Sequence, residues 1–141
     1  MKIMIAASSV FAKEMVLYRD QLRKLGHENN LHEHYVAQAN GQMKDLIDRM
    51  HREHSAVKKE FDYIRLHYNE IKESDAVLVL NFDKNGIHNY IGANTFLEIG
   101  YAHVLNKKIY LLNDMPDQTY IKDELEAMEP IILNGDLTKI S

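Results

Sequence analysis

The chain reads as an α/β fold built on a parallel sheet, and three observations predict it. Short apolar runs, Ile3 to Ala7 and Ala76 to Leu80 among them, are uninterrupted, as in strands buried on both faces. Between such runs, apolar residues recur at three- and four-residue steps, the helical period. The length of 141 residues, 45% hydrophobic and 27% charged, suits one globular domain able to bury a sizeable core.

Taken in order, Ile3 to Ala7 is the first strand. Ser8-Ser9 follow it, and Met15, Leu22 and Leu25 mark one face of a helix that Gly26 ends. A second strand is expected between Asn30 and Ala37. Met43 to Glu73 carries the helical period through Leu46, Ile47, Met50, Val57, Phe61, Ile64 and Ile71, and its length predicts a break near His54-Ser55. Asp75 opens the strand Ala76 to Leu80. Phe82 to Gly92 is a polar loop holding Gly86. Thr95 to Asn106 reads as helix, Lys108 to Leu112 as strand, Ile121 to Met128 as a short helix, and Ile131 to Leu133 as a last strand before Gly135. Five strands alternating with helices predict a flavodoxin-like or Rossmann-like three-layer sandwich, with residues 1–141 as a single domain. Ligands of such sheets bind outside the carboxyl ends of the strands. Ser8-Ser9, Asn81 to Asn94 and Asn113 to Asp117 end there.

Composition removes several functions. Lys and Arg total 17 against 21 Asp and Glu, a net charge of −4 with no basic tract; neither nucleic acid nor an anionic membrane surface is an expected partner. With no cysteine, a disulfide scaffold, a thiolate zinc site and a Cys nucleophile are excluded. No apolar stretch approaches the ~20 residues that span a bilayer. The N-terminal run is too short for a signal peptide, so a reducing, cytoplasmic setting is expected.

The densest group of chemistry-bearing residues is Asn89 to His103. Glu98 has two readings there. Thr95-x-x-Glu98 is a capping-box pattern, in which the glutamate closes onto the Thr95 backbone N–H. Alternatively, a glutamate in the first helical turn stays ionised at the positive end of the helix dipole, and such a carboxylate can attack an electrophilic carbon to form an ester. Gly100 would let the backbone pack closely, and Asn94 and Thr95 can hydrogen-bond a sugar. Elsewhere, His51-x-x-His54 could share one helix face as metal ligands, but no third ligand follows at a telling spacing and a solvated face is the simpler reading. His103 reads as a packed or interface histidine, Asp75 as a turn or capping group, and Met43 and Met50 as core or dimer interface. Gly86 and Gly92 match no P-loop spacing and read as points of flexibility.

Asp75-Ala-Val-Leu-Val-Leu80, a polar loop, Phe96-Leu-Glu98-Ile-Gly-Tyr-Ala102 and Lys107-Lys-Ile-Tyr-Leu111 together resemble the nucleoside 2-deoxyribosyltransferase superfamily. Leu31-His-Glu-His-Tyr-Val-Ala37 is similar to the segment after the first helix in its 2'-deoxynucleoside 5'-phosphate N-hydrolase branch. The resemblance runs from the first strand to the Lys108–Leu112 strand. It implies that Glu98 is the nucleophile attacking C1' of a (deoxy)nucleoside or its 5'-monophosphate. Ser8 would meet the 5' end, with His67, Asn81, Asn94 and Thr95 as further substrate-binding residues. It implies a small-molecule nucleoside or nucleotide ligand, a homodimer or larger homo-oligomer, and neither metal nor cofactor. Three features depart from the family pattern. His67 stands eight residues before Asp75, where the family usually has a sugar-binding Asp. The loop after the first strand, Ala6 to Phe11, lacks the glycines and arginine of the hydrolase branch. The Phe82 to Asn94 loop is long, and is expected to act as a lid or to alter the substrate. A non-catalytic nucleotide-binding or sensing module on the same fold is the alternative expectation.

Overall fold

Side chains alternate across each strand, and this decides which helices cover which face of the sheet. The computed structural model describes the backbone of residues 1–141 and all side chains except those of Met50, Lys58, Glu60 and Phe61. Four strands, β1 (Ile3–Ala6), β2 (Ala76–Val79), β3 (Lys108–Leu111) and β4 (Ile131–Ile132), pair in parallel in the order β1-β2-β3-β4. Ile3, Ile5, Ala76, Leu78 and Tyr110 share one face with Met15 and Leu22 of helix α1 (Ala12–Lys24). Met4, Ala6, Val77, Val79, Ile109 and Leu111 form the other face. There they meet Ile71 of α5 (Tyr63–Glu73), Ile99 and Ala102 of α6 (Ala93–Val104) and Leu125 of α7 (Lys122–Ala127). Burial of each such leucine or isoleucine side chain contributes about 1.5–3 kcal/mol, so the two apolar layers hold the sheet between its helices.

The sheet has four strands, not five. The expected strand between Asn30 and Ala37 is helix α2 (Glu33–Ala39). His32, in extended backbone, accepts a hydrogen bond at Nδ1 from the His34 N–H and so starts that helix. What survives of the fifth strand is a single parallel bridge between Lys2 and Glu28, beside β1, reinforced by Asn29 Nδ2 donating to the Ile3 carbonyl at 2.7 Å. The chain therefore leaves β1 toward the Glu28 edge and returns on the opposite side as β2. Strand order reverses at β1 and β2, the place where sheets of this class leave a crevice.

The long helical segment breaks twice. It runs as α3 (Lys44–Arg52), α4 (His54–Phe61) and α5, interrupted at Glu53 and at Asp62, whose φ of 49° is left-handed. The first break falls beside the expected one. It puts His51 and His54 on separate helices, so they share no single helix face. Met43 is 45% exposed and lies outside the core, while the side chains expected at Met50 and Phe61 are outside the described residues. Asp75 accepts the Lys2 N–H at 2.7 Å, tying the starts of β1 and β2 together. Among the described residues no helix is long and apolar enough to cross a membrane.

Gly100 does not serve a close approach. A Cβ built there meets nothing within 4 Å. Gly100→Ala is therefore expected to stabilise α6 by about 0.5–1 kcal/mol, since glycine inside a helix costs backbone entropy. Chemical denaturation of the two proteins measures this, and a destabilised alanine variant would show that something does pack on that position.

Candidate functional site

Glu98 sits in the second turn of α6, which begins at Ala93 with Gly92 as its N-cap and no side-chain cap. The capping-box reading is thereby removed, and so is the first-turn dipole argument, because that field decays within a turn. Thr95 is inside the helix and buried. Glu98 is held by one tertiary and one local contact. The residue is 3% exposed. Its Oε1 lies 2.7 Å from Nδ1 of His67 on α5 and accepts from Asn94 Nδ2 at 3.2 Å. Asn94 is one helical turn before Glu98, a spacing that places both on the same face of α6. No hydrogen bond among the described residues is made to Oε2.

A cavity of about 470 Å³ opens at the carboxyl ends of β1 and β2. Ser8, His67, Asn94 and Thr95 all line it, so four of the five expected substrate-binding residues border one cavity. Glu98 stands directly behind the cavity wall, with its two hydrogen-bond partners as wall residues. Asn81 does not reach the cavity. It is fully buried; its Oδ1 accepts the Asn113 N–H at 2.9 Å and its Nδ2 donates to the carbonyls of Asn113 and Asp114. Both ends of that amide are spent joining the loop after β2 to the loop after β3, so Asn81 shapes the site from beneath.

The wall also contains residues that sequence reasoning did not single out. Tyr35 of α2 and Tyr63 of α5 line it. The Tyr63 hydroxyl is hydrogen-bonded to Nδ1 of the buried His34. Burial, with Glu33 nearby, pushes the Tyr63 hydroxyl up to about 12. Burial also raises Tyr35, and the charge of Glu98 adds to the shift. Both phenols thus keep their protons at neutral pH. Glu70, on α5 near the same pair, is raised above the usual carboxylate range, chiefly by burial. Tyr63 precedes His67 by one turn, so helical spacing could have flagged it.

The Phe82–Asn94 loop contributes Lys84, Tyr90, Gly92, Ala93 and Asn94 to the cavity lining and is tied by hydrogen bonds along its length. Lys84 and Ile87 exchange backbone hydrogen bonds around Asn85 and Gly86, both at positive φ (53° and 75°). This is the two-residue hairpin for which Asn-Gly is the strongest short-range sequence signal. Asp83 accepts the Asn89 N–H at 2.9 Å, a bond that draws its carboxyl below the usual range. The Gln118 side chain clamps both the N–H and the carbonyl of Ile91. Gly86 is thus a turn residue. Gly92 starts α6, where a Cβ would come 3.4 Å from the Tyr90 ring. Lys84, which the hairpin aims inward, lines the cavity.

His51 and His54 reach the cavity rim from α3 and α4. Among the described residues, no group of three or more His, Asp or Glu side chains could hold a metal. His103 is exposed, not packed.

No family model matches the chain, and no curated protein does. Among solved structures it is similar to that of the Clostridium botulinum CMP N-glycosidase BcmB. The TM-score is 0.52 at 20% identity, over 95% of this chain and 90% of that one. The likeness is one of fold: a mixed α/β architecture on a parallel sheet, carried across nearly the whole of both chains.

Proposed function

We propose that the protein acts on the N-glycosidic bond of a nucleoside or nucleotide through a covalent glycosyl ester on Glu98. The observation that carries this is the buried Glu98 carboxylate, held through Oε1 by His67 and Asn94 beneath the cavity at the β1–β2 crevice. That the fold is shared with a protein described as a CMP N-glycosidase supports the same reading.

An ionised carboxylate only accepts hydrogen bonds, so in this reading His67 Nδ1–H and Asn94 Nδ2–H donate to Oε1 and leave the Oε2 lone pairs for attack. Oε2 forms a bond to C1' as the C1'–N bond breaks. The bonding pair leaves with the base, which takes up a proton. Water then attacks C1', the ester C1'–O bond breaks back onto Glu98, the free sugar or sugar phosphate departs with the water hydroxyl, and the remaining water proton goes to solvent, replacing the one the base took from it. A second base in place of water gives transfer. This is the logic of retaining glycoside chemistry with one carboxylate as nucleophile. Asn94, Thr95 and His67 hold the sugar, with Ser8 at the 5' end.

The test incubates the protein with ribo- and deoxynucleosides and their 5'-monophosphates, following free base by chromatography with and without an acceptor base. Base release that Glu98→Ala removes is the expected result; release unchanged in that variant overturns the assignment. One observation favours the second reading, a non-catalytic nucleotide-binding module: Glu98 lies behind the wall rather than in it. Tight calorimetric binding of a nucleotide with no release across the whole panel would establish that reading instead.

A further inference from the structure

The proposed reaction has one proton that no residue yet carries. The bonding pair of the C1'–N bond leaves with the base, which departs more easily if a proton reaches it in the same step. Several cavity side chains with a proton to give are committed elsewhere. His67 holds Glu98 through Nδ1. The Tyr63 hydroxyl is bonded to His34. The Lys84 ammonium donates to Ser8 Oγ at 3.0 Å and stands 5.3 Å from the centre of the Tyr90 ring. Tyr35 differs. It lines the cavity, no hydrogen bond among the described residues is made to its hydroxyl, and that oxygen is not shut away from solvent.

Packing sets this phenol beside the nucleophile. Glu33 to Ala39 is a helix where a strand was expected, and that helix brings Tyr35 into the cavity lining. Its start is capped by His32, and its end is pinned by Gln38 Nε2, which donates to the Ser9 carbonyl at 2.7 Å. Tyr35 packs against the apolar layer that contains Ile5 and Met15. Its ring centre lies 6.1 Å from that of His67, with the planes inclined by 31°, and His67 meets Glu98 at 2.7 Å. Glu98 is near enough for its charge to be the second cause, after burial, of the raised Tyr35 hydroxyl. That charge does not last through the reaction. When Oε2 bonds to C1' the carboxylate becomes a neutral ester, and its opposition to a phenolate at Tyr35 ends. Negative charge builds on the departing base in the same step. The phenol is thus held protonated while Glu98 is ionised, and becomes a better acid in the step that needs one.

We propose that Tyr35 is the general acid of this reaction, a catalytic residue that gives the departing base its proton and later takes one from the attacking water. The assignment rests on the glycosidic reading of the cavity and deepens it, with Tyr35 in place of solvent. In the first step the Oε2–C1' bond forms, the C1'–N bond breaks with its electron pair on the base, and the Tyr35 O–H proton passes to the base. In the second step the water oxygen bonds to C1', the ester C1'–O bond breaks back onto Glu98, and a water proton returns to the Tyr35 oxygen. The sum is hydrolysis, with Glu98 ionised and Tyr35 protonated as at the start.

Tyr35→Phe in the full chain tests this through the leaving group. Two substrates with the same sugar are compared: the nucleoside or nucleotide whose base the protein releases, and the para-nitrophenyl glycoside, whose nitrophenolate departs without a proton. Loss of a general acid should lower base release by about a hundredfold or more and leave nitrophenolate release within about twofold. Halogenated forms of the released base, which leave more easily, should show a smaller deficit. Thermal melting confirms that the variant folds. Equal losses with every leaving group, or no loss with any, overturns the assignment. So does a deficit that depends on the leaving group in His51→Ala or His54→Ala but not in Tyr35→Phe, which would place the acid at the cavity rim. The glycosidic reading fails on a different result: no release from any substrate by the unaltered protein, or release that Glu98→Ala leaves unchanged, removes it and the acid with it.

Discussion

Replacement of Glu98 by glutamine is expected to lower base release by about a thousandfold or more while leaving the fold in place. The two halves of this expectation have separate causes. Glutamine is isosteric, and its carbonyl oxygen can still accept from both His67 Nδ1 and Asn94 Nδ2, the two groups that hold Oε1. Its amide nitrogen replaces Oε2, the oxygen assigned to attack, and an amide is no nucleophile toward C1'. Thermal melting should therefore change by the equivalent of about 1 kcal/mol or less, with the loss confined to turnover. Single-turnover assays across nucleosides and monophosphates, read beside melting curves, measure both. Base release that persists in the glutamine variant places the nucleophile elsewhere. A large drop in melting temperature would show instead that the charge of Glu98 is structural.

The second large effect is expected at His67. Its ring and the Glu98 carboxylate are both almost wholly buried and meet at 2.7 Å. Truncation to alanine leaves the carboxylate in a low-dielectric site with Asn94 as its remaining donor among the described residues. Stripping one partner from a buried polar pair destabilises by about 2–4 kcal/mol. The freed carboxylate also loses its orientation, and an error of about 1 Å at a reacting group costs roughly a hundredfold in rate. His67→Ala should thus lower both stability in urea and the rate of base release. His67→Gln, which keeps an N–H donor, should recover part of each. Full stability in the alanine variant would show that the pair does not hold Glu98.

How much of this site was legible in the sequence varies residue by residue. Glu98, Asn94 and Thr95 stand within five consecutive positions, and any helix through them brings them near one another. Their local role was misread all the same. Thr95-x-x-Glu98 matches a capping box, but the helix starts two residues earlier, at Ala93, where Gly92 provides the N-cap. A boundary shift of that size turned an apparent cap into buried second-turn residues. Lys84 lay within reach of reasoning, since Asn85-Gly86 is a hairpin signal. That signal predicts a turn, but not that the turn aims its first residue at Ser8, 76 positions away in the chain. Asn81 failed in the opposite direction: it ends the expected strand, yet its amide is consumed by the Asn113–Asp114 loop.

By itself the sequence determined the elements whose signal is local. Continuous apolar runs name β1, β2 and β3, because a strand buried on both faces has no polar positions to alternate. Three- and four-residue steps name the helices, because one stripe of each must face the sheet. The absence of cysteine and of a basic tract removes whole classes of chemistry. Tertiary structure alone decided the rest. It reduced the edge strand to a single bridge at Glu28 and made Glu33–Ala39 a helix. It also paired His67 with Glu98 across two helices and set Lys84 on Ser8 across two strand ends. The physical reason is one of range. Backbone periodicity is written in neighbouring residues, whereas the partner of a buried charge is whichever group packing brings to it, and that is fixed only when the two faces of the sheet have closed.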